Sequence, residues 1–293
     1  MLHRMIRAAV LFGVLTTTAC GIGDQAIDPA HEEEDVETLA SPLLWGPCPE
    51  FPGLPDLGQE CTTVSVPLDY GAPHGQKIDI AISRVRTALP DRRRGVMLLN
   101  PGGPGGPGLD LAPLFAILLP PDVLEQYDMV GFDPRGAGRS APLSCGLTGI
   151  EAEVLPWEQP GGFDATVELV HHVADLCGAA EGDLLPFMNS ANTVRDMDRI
   201  RRGLGESKIA YYGVSGGTNL GAIYASLFPG RTDRFVLDSN IDPDWRWHEQ
   251  WRQFGPAGEF RFPDLAAFVA AGDATYHFGA TVEEVREIGR AHV

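Results

Sequence analysis

Hydrophobic and polar residues alternate in "TVSVPLD" and "KIDIAISRV", where Val64, Val66 and Leu68, then Ile78, Ile80 and Ile82, take every second position. That period suits strands with one covered and one wet face, so a hairpin at a sheet edge is expected. Further along, the pattern changes to short unbroken apolar runs: "VMLL" from Val96, "MVGF" from Met129, "IAYYGV" from Ile209 and "RFVLD" from Arg234. Unbroken runs of this length suit parallel strands covered on both faces. In "NTVRDMDRIRRGLG" the apolar positions Val194, Met197, Ile200 and Leu204 share one helical face, with acids early, arginines late, and Gly203 and Gly205 to end it. An edge hairpin followed by strands alternating with helices predicts an α/β fold: a mostly parallel sheet, helices on both faces and right-handed crossovers. Beyond Asp238 no further strand pattern occurs, and residues 241–293 read as helical.

The N-terminus has a different character. In "MLHRMIRAAVLFGVLTTTAC", Arg4 and Arg7 precede an apolar stretch from Ala8 to Leu15. That stretch is well short of the ~20 residues a membrane span needs, so residues 1–20 are expected to be an export signal. The small residues before Cys20 resemble a bacterial lipoprotein cleavage site, with Thr17 where Leu is usual. Lipid attachment at Cys20 is therefore expected, with ordinary cleavage and soluble secretion as the alternative. Residues 21–44, acidic around "HEEEDVE", read as a flexible linker. The folded core is expected over 45–240.

The 293 residues carry a formal net charge of -18. Phosphate contacts need clustered Lys and Arg, so this charge disfavours nucleic acid as a partner. The dense basic run "RVRTALPDRRRG" is expected to be a solvated loop between two strands. Of five cysteines, removing or lipidating Cys20 leaves an even set: Cys48, Cys61, Cys145 and Cys177. In an oxidising compartment these are expected to form disulfides, and three pairings are open. The local pairing, Cys48 with Cys61 and Cys145 with Cys177, would contribute at most about 3–4 kcal/mol per bridge in the chain-entropy picture. No two have the Cys-x-x-Cys spacing of a zinc site.

Candidate chemistry sits at three loops. In "YYGVSGGTNL", Ser215 lies between glycines where an apolar strand gives way to the helical stretch "GTNLGAIYASLF". A nucleophile on a sharp strand-to-helix turn needs that setting, because flanking glycines relieve crowding and the hydroxyl is left exposed. "LLNPGGPGGPG" follows the strand at Val96, and its glycines would let backbone N–H groups approach an oxyanion. Gly103 is the expected donor from this loop and the Gly216 N–H the second. No Gly-Lys-Ser/Thr follows, so a phosphate-binding P-loop fails. In "GFDPRGAGRS", Asp133 and Arg135 are expected to pair and hold the loops in place.

These stretches together resemble the secreted tripeptidyl aminopeptidase branch of the α/β-hydrolases, akin to prolyl iminopeptidases. The likeness runs from "WGPCPE" and "ECTTVSVPLDY" through "NPGGPGGPG", "GFDPRGAGRS" and "NTVRDMDRIRRGLG" to "YYGVSGGTNLGAIYASLFPGRTDRFVLDSNIDP". It implies the α/β-hydrolase fold and a Ser-Asp-His hydrolase that removes short peptides from a free N-terminus. It also implies a helical cap, which residues 241–293 would begin, and no cofactor or metal. Ser215 carries over as nucleophile, whereas Gly216 stands where the family usually has Tyr.

In this fold the acid and then the base follow the nucleophile, each in a loop after a later strand. His248 lies amid Trp245, Trp247 and Trp251, His277 lies in a cap-like turn, and His292 is next to the end; none follows an expected strand. Asp238 and Asp242 end a strand and are not assigned. The expectation is therefore that the chain stops before the catalytic acid and base, is inactive alone, and leaves the strand at Arg234 as an open edge. The competing readings are a non-catalytic, peptide-binding surface lipoprotein and a compact esterase using His277.

Overall fold

The computed structural model describes residues 42–148, 161–242 and 247–291. The export signal, Cys20, nearly all of the acidic linker, Trp245 and His292 lie outside them.

Seven strands form one sheet: β1 (Gly46–Pro47), β2 (Glu60–Pro67), β3 (Lys77–Val85), β4 (Gly95–Asn100), β5 (Tyr127–Phe132), β6 (Ile209–Val214) and β7 (Thr232–Asp238). Their order across the sheet is β1-β2-β3-β5-β4-β6-β7. The first three strands and β5 pair antiparallel, whereas β5, β4, β6 and β7 are mutually parallel. The chain steps outward from β4 to β5, then returns past β4 to β6. This reversal opens a crevice at the carboxyl ends of β4 and β6, where open α/β sheets bind ligands.

The unbroken apolar runs are buried on both faces. In β4, Val96 and Leu98 join one apolar cluster while Met97 and Leu99 join the other; Ile209 and Tyr211 of β6 part from Ala210 in the same way. One face is covered by α4 (Ser190–Gly203) and α5 (Gly216–Leu227), which pack on each other, and the opposite face by α1 (Leu111–Leu118). Val194, Met197 and Ile200 of α4 are fully buried, each such side chain contributing about 1.5–3 kcal/mol. The side chain of Asn189 caps this helix by accepting the N–H of Asn192.

The hairpin β2–β3 forms as expected, and Thr63 and Ser65 face solvent. Its second strand departs from strict alternation, because Ala81 and Ser83 are buried along with Ile80 and Ile82. The chain at Leu109 covers that face, and Ser83 Oγ donates to the Leu109 carbonyl. Packing begins slightly before Trp45, since Leu43 already lies against the core.

The arginine run forms an exposed loop between β3 and β4 from Ala88 to Arg94, as expected, and acids from several elements meet its side chains. Arg84 stacks on Trp45 and pairs with Glu60, Arg93 bridges Asp128 and Glu206, and Arg92 meets Glu125. The two local disulfides form, Cys48 to Cys61 and Cys145 to Cys177. The first staples the end of β1 to β2; the second ties the loop after β5 to α3 (Gly162–Glu181). After β7 the chain is helical, through α6 (Trp247–Arg252), α7 (Phe254–Ala271), α8 (Asp273–Tyr276) and α9 (Val282–Ala291). Among the described residues no helix is long and apolar enough to cross a membrane.

Candidate active site

Ser215 occupies the turn between β6 and α5, with φ 52° and ψ -118°. That conformation is strained for a residue with a side chain, and its neighbours hold it there. The Ser215 N–H donates to the Asp238 carbonyl at 2.8 Å, and its own carbonyl accepts from the Thr218 N–H and hydroxyl. Gly213 is required because a Cβ there would lie 2.6 Å from the Gly217 carbonyl oxygen. At Gly217 a Cβ would lie 2.7 Å from Asn100 Oδ1. The flanking glycines thus do the steric work expected of them.

The glycine loop after β4 packs directly on this turn. Gly102 has φ 92°, and a Cβ there would lie 2.2 Å from the Val214 carbonyl oxygen and 3.1 Å from Ser215 Cβ. Gly103, at φ 108°, sets its carbonyl beside Gly216, 3.1 Å from where a Gly216 Cβ would stand. Gly216 thus allows the loop to close on the serine, and a Tyr at that position would need the loop to give way slightly. Among the described residues nothing accepts the N–H of Gly103 or of Gly216. Gly216 is the first residue of α5, so its N–H is one of the unsatisfied donors at the positive end of the helix.

Asp133 and Arg135 both organise the loops but do not pair with each other, contrary to expectation. The Asp133 carboxylate is already taken by three backbone N–H groups, those of Gly108, Leu109 and Arg139. Arg135 reaches Asp196 of α4 instead, and also donates to the carbonyls of Pro67, Leu68 and Phe187. Asp133 therefore fixes the end of the glycine loop, while Arg135 fixes the floor between β2 and α4. Sequence inspection missed Asp196, whose separation from Arg135 along the chain leaves no local signal.

A cavity of about 640 Å³ opens at the sheet crevice, with Gly102 and Gly216 in its wall. Leu143, Met188, Leu220 and Ile241 supply apolar lining. Two further lining residues, Asn100 and Gln250, were not anticipated. Asn100 ends β4 and is 2% exposed.

The partners expected of a triad are not gathered here. Among the described residues no side chain hydrogen-bonds to Ser215 Oγ. His248 is exposed beside Glu249, and His277 is exposed at the end of α8 in a left-handed conformation. Asp238 ends β7 next to the serine turn, and its carboxylate accepts the Tyr212 hydroxyl at 2.7 Å. That bond is the main cause holding the Tyr212 phenol above its ordinary value, with burial second. No group of three or more His, Cys, Asp or Glu suited to a metal occurs among the described residues.

A serine on a strained strand-to-helix turn, faced by a glycine loop at the switch point of a mostly parallel sheet, is the architecture of the α/β-hydrolases. The chain belongs to that family: the family described as alpha/beta hydrolase fold matches residues 95–289. It is 39% identical over 258 residues to a tripeptidyl aminopeptidase of Streptomyces lividans, covering 83% of this chain and 47% of that protein. It is 32% identical over 221 residues to the serine protease Hip1 of Mycobacterium tuberculosis, covering 70% of this chain and 41% of that protein. A carboxylesterase B of the same organism is 32% identical over 251 residues, covering 82% and 48%. The chain spans about half the length of the curated relatives it matches.

Proposed function

We propose that this chain supplies the nucleophile and oxyanion donors of an exported serine hydrolase of the tripeptidyl aminopeptidase type, cleaving peptides from a free N-terminus. The observation that carries the reading is the strained Ser215 turn packed against Gly102 and Gly103. In the reaction Ser215 Oγ attacks the scissile carbonyl carbon. The carbonyl oxygen gains charge and is met by the N–H groups of Gly103 and Gly216, aided by the α5 dipole. The C–N bond then breaks, the amine leaves with a proton, and water releases the acyl group from Ser215. Both halves need a base: it takes the serine proton and passes it to the leaving amine, then takes a proton from the water and passes it to Ser215 Oγ. With no described side chain bonded to Ser215 Oγ, turnover by this chain alone is expected to be slow.

Export of the protein is supported by the character of residues 1–20 and by two disulfides, which suit an oxidising compartment. Lipid attachment at Cys20 would hold it on the outer face of the bacterial cytoplasmic membrane, its only contact with lipid. Incorporation of labelled palmitate, lost in Cys20→Ser, tests this point.

The decisive experiment is reaction of the purified chain with a fluorophosphonate probe. Labelling that disappears in Ser215→Ala supports the reading. No labelling, together with peptide binding unchanged by Ser215→Ala, favours a non-catalytic peptide-binding lipoprotein, a reading kept open because no side chain among the described residues hydrogen-bonds to Ser215 Oγ. Labelling lost in His277→Ala would instead support a compact esterase, although His277 is exposed at the end of α8.

A further inference from the structure

Two amide side chains in the wall of the cavity each carry a buried polar atom with no protein partner: Nδ2 of Asn100 and Oε1 of Gln250. Buried polar groups are almost always paired, so an unpaired one at a cavity wall marks a position where a ligand group completes it. The orientation of Asn100 is fixed. Its Oδ1 accepts the Gly102 N–H at 3.0 Å, so a flipped amide would set donor against donor. Its backbone is held in the sheet opposite Gly213, two residues before the serine. Asn100 thus offers a rigid donor, while Gln250, from α6, offers an acceptor.

The charged side chain in the wall, Arg135, is committed to Asp196 and to backbone carbonyls. Asn100 Nδ2 and Gln250 Oε1 are the buried side-chain atoms left unpaired among the described residues, and a donor with an acceptor matches a peptide unit, which has one carbonyl to accept and one N–H to donate. An ester has the first and lacks the second. The volume, about 640 Å³, is within the range of pockets that enclose small ligands.

We propose that Asn100 and Gln250 form a clamp on the substrate backbone. Asn100 Nδ2 donates to a peptide carbonyl and Gln250 Oε1 accepts a peptide N–H, so the cleft selects peptides over esters of the same shape. The inference rests on the reading of this cleft as the substrate site of a serine hydrolase. It makes Asn100 and Gln250 specificity-determining residues.

The test uses the full chain carrying Ser215→Ala and isothermal titration of an unblocked tripeptide amide. A series of analogues has each amide replaced in turn by an ester. Asn100→Asp keeps the oxygen that accepts from Gly102 but removes the free donor, and Gln250→Met keeps length without the acceptor. Each substitution is expected to weaken peptide binding about tenfold or more. One ester analogue is expected to bind about tenfold more weakly than the amide to the Gln250 chain and equally to Gln250→Met. Should Asn100→Asp unfold, the Gln250 comparison with the ester series decides alone. Peptide affinity untouched by Gln250→Met, ester analogues that all bind like the amide, or no peptide binding at millimolar concentration overturns the clamp. Fluorophosphonate labelling of the unsubstituted chain separates the two readings. Labelling without these binding effects leaves the hydrolase standing and removes the clamp, and the opposite pattern does the reverse.

Discussion

Arg135 and Asp196 meet with side chains 0% and 1% exposed, the guanidinium donating through Nε and Nη2 to both carboxylate oxygens at 2.7 Å. Removing one partner leaves a buried charge uncompensated, which costs about 3–5 kcal/mol. Arg135→Met is expected to lose that much in urea unfolding, and the double variant Arg135→Met, Asp196→Leu to regain most of it. A loss below about 1 kcal/mol in the single variant would contradict the pairing.

The glycine loop offers a sharper contrast. Gly102 and Gly105 both have positive φ, 92° and 80°, but a Cβ at Gly102 would enter the serine turn whereas one at Gly105 meets open space. Gly105→Ala should therefore cost about 1 kcal/mol, the strain alone. Gly102→Ala should displace the loop and abolish labelling at Ser215. Equal labelling of the two variants would mean that the loop does not support the serine.

The disulfides close loops of different size, with sequence separations of 13 and 32. Cysteine-to-serine pairs are expected to lose about 3 kcal/mol at Cys48 and Cys61 and somewhat more, about 4 kcal/mol, at Cys145 and Cys177. Thermal unfolding of the two double variants, compared with the fully oxidised parent, measures both.

Among the described residues β7 pairs with β6 alone, and Val236 is 44% exposed. An open apolar edge invites pairing with another chain. Self-association should increase with concentration and fall in Val236→Lys. Sedimentation velocity showing identical behaviour of the two chains would argue against edge pairing.

Burial pushes the phenols of Tyr70, Tyr211 and Tyr224 well above the ordinary value of 10.0, and Asp196 and Asp198 add to this at Tyr70 and Tyr224. A tyrosine whose pKa is raised by folding keeps its proton more tightly in the native state. Its contribution is complete below pH 10.0 and lost as pH climbs above that value. Stability to urea is therefore expected to decline above pH 10, with these three tyrosines ionising together with unfolding in near-ultraviolet absorbance. Ionisation of all three in the folded protein, ahead of any loss of structure, would contradict this.

Much of the fold was legible because its strands carry two distinct periods. Val64 and Val66 alternate because one face of the hairpin is wet, and Met97 to Leu99 run unbroken because both faces of β4 are covered. The Ser215 turn was legible for a local reason: glycine spacing and a strand-to-helix switch lie within a few residues. What escaped notice depends on contacts between distant segments. Asp133 and Arg135 are near each other in sequence, which suggested a pair, yet backbone donors claim the first and α4 claims the second. The unmet amide atoms of Asn100 and Gln250 likewise become visible only when β4 and α6 enclose one space.

The hydrogen bond from the serine turn to the carbonyl of Asp238 has a mechanical corollary. The outermost of the described strands is a lever whose tip is fastened to the backbone of Ser215. Whatever displaces that strand would pull on the Ser215 turn without entering the cleft.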